Sequence, residues 1–167
     1  MERRRLETSR PGAGRHEPGI QDSVDSRWQS QSLRNRKTAL VCLALGAVTG
    51  LMLGMWSFGG PMPVPGWLGD YGDLSRRLVR LGHIALFGLS FTNLLLVREL
   101  PSAVRSSGLR VVAARAMSFG NVFLPTCLFA AAGFHPLKYL LPIPATAVAV
   151  ALSIAAWGGG RDPGTDR

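Results

Sequence analysis

Four runs of apolar residues limit most strongly what this chain can fold into. The hydrocarbon core of a bilayer is about 30 Å thick, and a helix needs about 20 mostly apolar residues to cross it. A water-soluble domain would instead alternate apolar and polar residues at the period of an amphipathic helix or strand. The sequence therefore predicts an all-α integral membrane four-helix bundle. We expect a transmembrane domain of residues 38–158, with spans at approximately 39–58, 78–97, 116–134 and 139–157.

Polar segments flank this domain at both ends. Residues 1–37 contain nine Lys or Arg and five Asp or Glu, with only scattered apolar residues among them. Such a segment buries too little apolar surface to offset the entropy that it would lose on ordering. We therefore expect a disordered basic N-terminal tail over 1–37 and a short tail over 159–167. The run 39–58 is longer than the apolar core of a signal peptide, which is about 7–15 residues, and this favours an uncleaved first span.

The positive charges indicate an orientation. The net charge is +9, and the Lys and Arg residues flank the apolar runs without the basic, aromatic-lined surface that is typical of nucleic-acid binding. Cytoplasmic loops of membrane proteins are enriched in Lys and Arg. With the N-terminus inside, fifteen of these residues lie inside and four outside. The sequence thus predicts cytoplasmic N- and C-termini in the cell inner (plasma) membrane, and no nucleic-acid partner. Three arginines at the outer side oppose this bias: Arg76, Arg77 and Arg80.

Small residues recur along the first span. Gly46, Gly50 and Gly54 are four residues apart and therefore share one face of a helix. Small residues at this spacing allow two membrane helices to approach closely. We expect these glycines to pack against another helix, either within the chain or in a second protomer. A small-residue face on the fourth span is a candidate partner, and its members are Thr146, Ala149, Ser153 and Ala156.

Polar side chains form a stripe along the second span and another along the third. In antiparallel helices, Asn93 and Asn121 would lie at one depth near the inner surface, and His83 and His135 near the outer surface. Polar groups in lipid are costly and need partners. The sequence therefore predicts an interhelical hydrogen-bonded pair, Asn93 with Asn121, with a coupling of about 0.6–2 kcal/mol.

The two histidines leave two interpretations open. In the first, His83 is neutral and bonded to a backbone carbonyl or to the neighbourhood of Ser90, and His135 is a solvated loop residue beside Lys138. In the second, the chain is a small redox membrane protein that binds haem b or another metal near the outer leaflet through His83 and His135. If the metal is copper, three methionines are available as soft ligands: Met52, Met55 and Met62.

Catalytic residues are not assigned. Every Asp and Glu lies outside the predicted spans, which argues against acid–base chemistry or proton-coupled transport within the membrane. Neither a phosphate-binding glycine loop nor a nucleophile–base pair is recognisable. The packing faces favour a non-enzymatic structural or accessory component of a membrane complex. Its expected partners are the lipid bilayer and other membrane-protein subunits or itself. A weaker interpretation treats the basic tail as a tether to anionic lipid.

Overall fold

A computed structural model of the chain is helical throughout its ordered elements and describes residues 18–57 and 59–158. Four of its segments are long and apolar enough to cross a membrane. The predicted all-α four-helix architecture is confirmed, and it has the dimensions of a multi-pass membrane protein. The elements are α1 (Pro18–Met55), a 3-10 turn (Gly66–Leu68), α2 (Leu74–Ala103), α3 (Ser107–Gly133), a 3-10 segment (His135–Leu140) and α4 (Pro142–Trp157).

The first helix begins much earlier than predicted. Residues 18–37, assigned to the disordered tail, belong to α1, which continues to Met55 as one helix of 38 residues. Residues 1–17 and 159–167 lie outside the described part of the chain. At 1.5 Å per residue, α1 is about 57 Å long, well beyond the thickness of a bilayer core. Packing explains why its polar half is helical, because one buried stripe runs through both halves: Gln31, Asn35, Ala39, Cys42 and Gly46.

The third helix is the central element of the bundle. It packs against α1, α2 and α4, whereas α4 packs mainly against α3 and less extensively against α2. Buried apolar side chains form two clusters, one around Leu78 and Leu128 and the other around Leu100 and Met117. Large apolar side chains such as that of Ile84 point outward and are mostly exposed. In a membrane this outer surface contacts lipid chains, so its apolar side chains are not exposed to water.

Two of the three predicted packing glycines of α1 lie against α2. A Cβ added to Gly46 would lie 2.9 Å from a ring carbon of Phe87, and one added to Gly50 would lie 2.6 Å from Cε1 of His83. A Cβ at Gly54 would meet no described atom within 4 Å. The expected pairing of this face with α4 is therefore corrected, because α2 occupies the positions at Gly46 and Gly50.

This packing predicts opposite effects for two matched substitutions. Gly54→Ala adds a methyl group in open space and should stabilise the protein by up to about 1 kcal/mol through helix propensity. Gly50→Ala should destabilise it by about 1–3 kcal/mol, because its methyl group overlaps the ring of His83. Unfolding of the two variants in detergent measures both effects. Shifts of equal size and sign would contradict the packing described here.

Candidate functional site

The side-chain amide of Asn35 joins three helices. It is fully buried, and its Nδ2 donates to Oδ1 of Asn93 on α2 at 2.8 Å and to the carbonyl oxygen of Ala114 on α3 at 2.7 Å. Its own Oδ1 accepts a hydrogen bond from Nε2 of Gln31 at 2.8 Å. Nε of Arg115 donates in turn to Oε1 of Gln31 at 3.4 Å. Both donors and the acceptor of the Asn35 amide are thus engaged, as a buried amide requires.

Asn93 and Asn121 have different partners. Asn93 bonds to Asn35, whereas Oδ1 of Asn121 accepts a hydrogen bond from Oγ of Ser90 at 3.1 Å. The predicted Asn93–Asn121 pair is therefore corrected to two pairs, Asn35 with Asn93 and Ser90 with Asn121. Asn121 still connects α3 to α2, but it does so about one turn away from Asn93 along α2.

A second polar contact point lies around Asn121. Its Nδ2 is buried and has no hydrogen-bond partner among the described residues. The thiol of Cys42, on α1, lies 4.0 Å from the carbonyl oxygen of Asn121. An unpaired buried donor costs about 1–3 kcal/mol. Within the described bundle, this amide is where hydrogen-bonding capacity is left over.

The two histidines lie in separate places. Nδ1 of His83 is 3.2 Å from Oγ1 of Thr49 on α1, and its ring meets that of Phe87 edge-on. Nε2 of His135 is 3.3 Å from Oγ of Ser75, at the start of α2. Ser75 and His83 are about 12 Å apart along α2, whereas two nitrogens that bind one metal ion lie within about 4 Å of each other. The structure does not bring the histidines together.

The haem and copper hypotheses stay predictions that this geometry does not favour. The described residues contain no group of three or more His, Cys, Asp or Glu side chains placed to hold a metal ion. Two of the candidate sulfur ligands, Met52 and Met62, are 43% and 46% exposed. Each histidine instead has a hydroxyl neighbour on another segment, which is a structural use of the ring.

Two arginines near the start of α2, Arg76 and Arg80, hold the connection between α1 and α2. Nη2 of the buried Arg76 donates to the carbonyl oxygen of Trp56, just after α1 ends, at 2.7 Å. A cation at this position also complements the negative end of the helix dipole. The guanidinium of Arg80 lies 4.2 Å from the centre of the Tyr71 ring, and that of Arg76 lies 5.4 Å from it. These arginines thus have a local role that is separate from orientation.

Sequence reasoning missed Gln31 and Asn35. Both lie in the charged region that was assigned to the tail, and Arg34 and Arg36 flank Asn35 directly. The signal that was available is spacing, because these two residues are four apart and extend the stripe of Cys42 toward the N-terminus. A polar residue on the buried stripe of a helix indicates an interhelical bond.

Comparisons with models of protein families, with curated proteins and with solved structures find no match. The polar groups described above bond mainly to one another across helices. Two of these contacts join a hydroxyl to an imidazole, Thr49–His83 at 3.2 Å and Ser75–His135 at 3.3 Å, but no third described side chain is seen to orient either ring, as an activated nucleophile requires. Chemically, this arrangement holds helices in register.

Asn35→Leu and Asn93→Leu should be non-additive. Each single substitution breaks the same hydrogen bond, so we expect a coupling of about 0.6–2 kcal/mol in a double-mutant cycle of unfolding free energies in detergent. The matched cycle of Asn93→Leu with Asn121→Leu should be additive within about 0.5 kcal/mol, because these side chains have different partners. A larger coupling in the second cycle than in the first would contradict this geometry and support the Asn93–Asn121 pair predicted from the sequence.

Proposed function

We propose that this chain is a non-enzymatic structural or accessory component of a membrane complex. The observation that carries the proposal is the use of the polar groups at its helix contacts. They pair across segments, and pairs of this kind fix the register of membrane helices. The pairs are Asn35–Asn93, Ser90–Asn121, Thr49–His83 and Ser75–His135.

The outer face of α4 supports packing against a further helix. Thr146, Ala149 and Ala156 are exposed, and Ser153 is half-buried. The hydroxyl of Thr146 already donates to the carbonyl oxygen of Pro142 in its own helix, at 2.7 Å. Gly46 and Gly50 of α1 pack against α2 and not against α4. The small-residue surface of α4 therefore faces outward from the described bundle. Small residues on a membrane helix favour close approach of another helix, here from another subunit or a second copy.

Two matched substitutions of alanine by leucine test the proposal. Ala149 lies on the outer face of α4 and Ala47 on the exposed face of α1. After mild-detergent extraction from the native membrane, the unmodified chain should migrate on a native gel in a discrete assembly. Ala149→Leu should reduce that assembly at least about threefold, because the larger side chain prevents close helix approach.

Ala47→Leu is the control, since it adds the same bulk to an exposed position and should leave the assembly intact. The proposal fails if the unmodified chain migrates as a monomer. It also fails if the two variants behave alike.

We further propose that both termini are cytoplasmic, in the cell inner (plasma) membrane. Four crossings place the two ends on one side. The end of the bundle at which α1 enters carries many exposed cations, and positive charge marks the cytoplasmic side. These residues are Arg27, Arg34, Arg36, Lys37, Arg98 and Arg105.

Reporter fusions test this topology. A C-terminal fluorescent protein that matures only in the cytoplasm should be bright, and a C-terminal alkaline phosphatase, active only outside, should be inactive. The same reporters inserted after Gly60, between α1 and α2, should give the reverse result. An active C-terminal phosphatase would overturn the orientation.

A further inference from the structure

A cleft of about 430 Å³ lies between α1 and α2 at the basic end of the bundle. None of the interhelical bonds described above uses it. Its walls combine two arginines, a serine, an indole ring and two aliphatic side chains. The lining residues are Trp28, Ser32, Arg36, Leu94, Val97 and Arg98.

The depth of this cleft follows from the Asn35–Asn93 hydrogen bond. That bond sets Arg36, next to Asn35, and Leu94, next to Asn93, at nearly the same level. The apolar run of α1 begins just beyond Arg36, and that of α2 ends just before Arg98. The cleft therefore lies where the apolar surface gives way to charge. This is the headgroup level of a bilayer, at which tryptophan is also enriched.

The guanidinium groups of Arg36 and Arg98 provide positive charge that can bind an anion in the cleft. Arg36 is exposed, and no ion pair of Arg36 is seen among the described side chains. Nε of Arg98 lies 4.0 Å from Oε1 of Glu99, but the two side chains are 83% and 65% exposed, so this contact is weak. A guanidinium presents a planar set of donors that matches phosphate oxygens. The hydroxyl of Ser32 already donates to the carbonyl oxygen of Gln29, which leaves recognition to the arginines.

The aliphatic wall of the cleft favours a lipid over a soluble anion as its ligand. Leu94 and Val97 lie on the same side of the cleft and are continuous with the membrane-spanning part of α2. A free phosphate would gain nothing from them, whereas the glycerol and first methylenes of a lipid would bury apolar surface there.

We propose that this cleft binds the phosphate headgroup of an anionic phospholipid of the cytoplasmic leaflet, held by Arg36 and Arg98. The proposal requires membrane insertion but not the accessory role, so either can fail without the other. It also differs from a diffuse tether, because it places recognition at two named residues of the helical bundle.

Native mass spectrometry of the purified full-length chain tests the site. The probes are dioleoyl phosphatidylglycerol and, for comparison, dioleoyl phosphatidylcholine. We expect the anionic lipid to bind more tightly, and the double variant Arg36→Gln, Arg98→Gln to lose about tenfold in affinity for it. The control is Arg34→Gln, Lys37→Gln, which removes the same charge from exposed positions of α1 outside the cleft and should lose less than about twofold.

Two further arms keep the test decisive. Arg98→Gln alone changes a side chain that is 83% exposed, so it leaves the fold intact and should still lose about threefold in affinity. Inorganic phosphate at millimolar concentration should not displace the lipid, because it lacks the apolar part. Equal losses in the cleft and control variants would overturn the proposal in favour of general electrostatics. Full displacement by phosphate would overturn it in favour of a soluble anion.

Discussion

The buried amide of Asn35 sets the register of the three helices around it. The surrounding helices leave Asn35 with no exposure to water, so each donor and acceptor of its amide needs a protein partner. The hydrophobic effect does not hold membrane helices together, since lipid chains are as apolar as the side chains that they would replace. The two donors of Asn35 reach α2 and α3 separately and so fix both helices relative to α1. The close contacts of Gly46 and Gly50 depend on that register.

Element number and type followed from the sequence, because crossing a bilayer demands long apolar runs and leaves few other solutions. The start of α1 did not. Asn35 stands among Arg34, Arg36 and Lys37, and local composition there resembles a solvated tail. Tertiary packing overrode composition, because the buried side of that segment meets α2 and α3 while its charged side stays exposed.

For the two asparagines, depth along the helices was easier to predict than which side chains face each other. Counting residues along antiparallel helices placed Asn93 and Asn121 near the same level, and in the structure Ser90, the partner of Asn121, lies about one turn from Asn93 along α2. Which side chains face each other depends on where the third helix sits, and α1 takes the place next to Asn93. The same cause separated the glycines of α1 from α4. His83 and His135 do not share one level, because His135 contacts Ser75, which lies about 12 Å from His83 along α2.

The order of synthesis gives the Asn35 network a consequence for biogenesis. α1 emerges from the ribosome first and carries an amide whose two acceptors are made later, on α2 and α3. A nascent chain that ends before Ala114 therefore lacks one of these acceptors. The hydrogen bonds around Asn35 can be completed only after the third hydrophobic segment has been made.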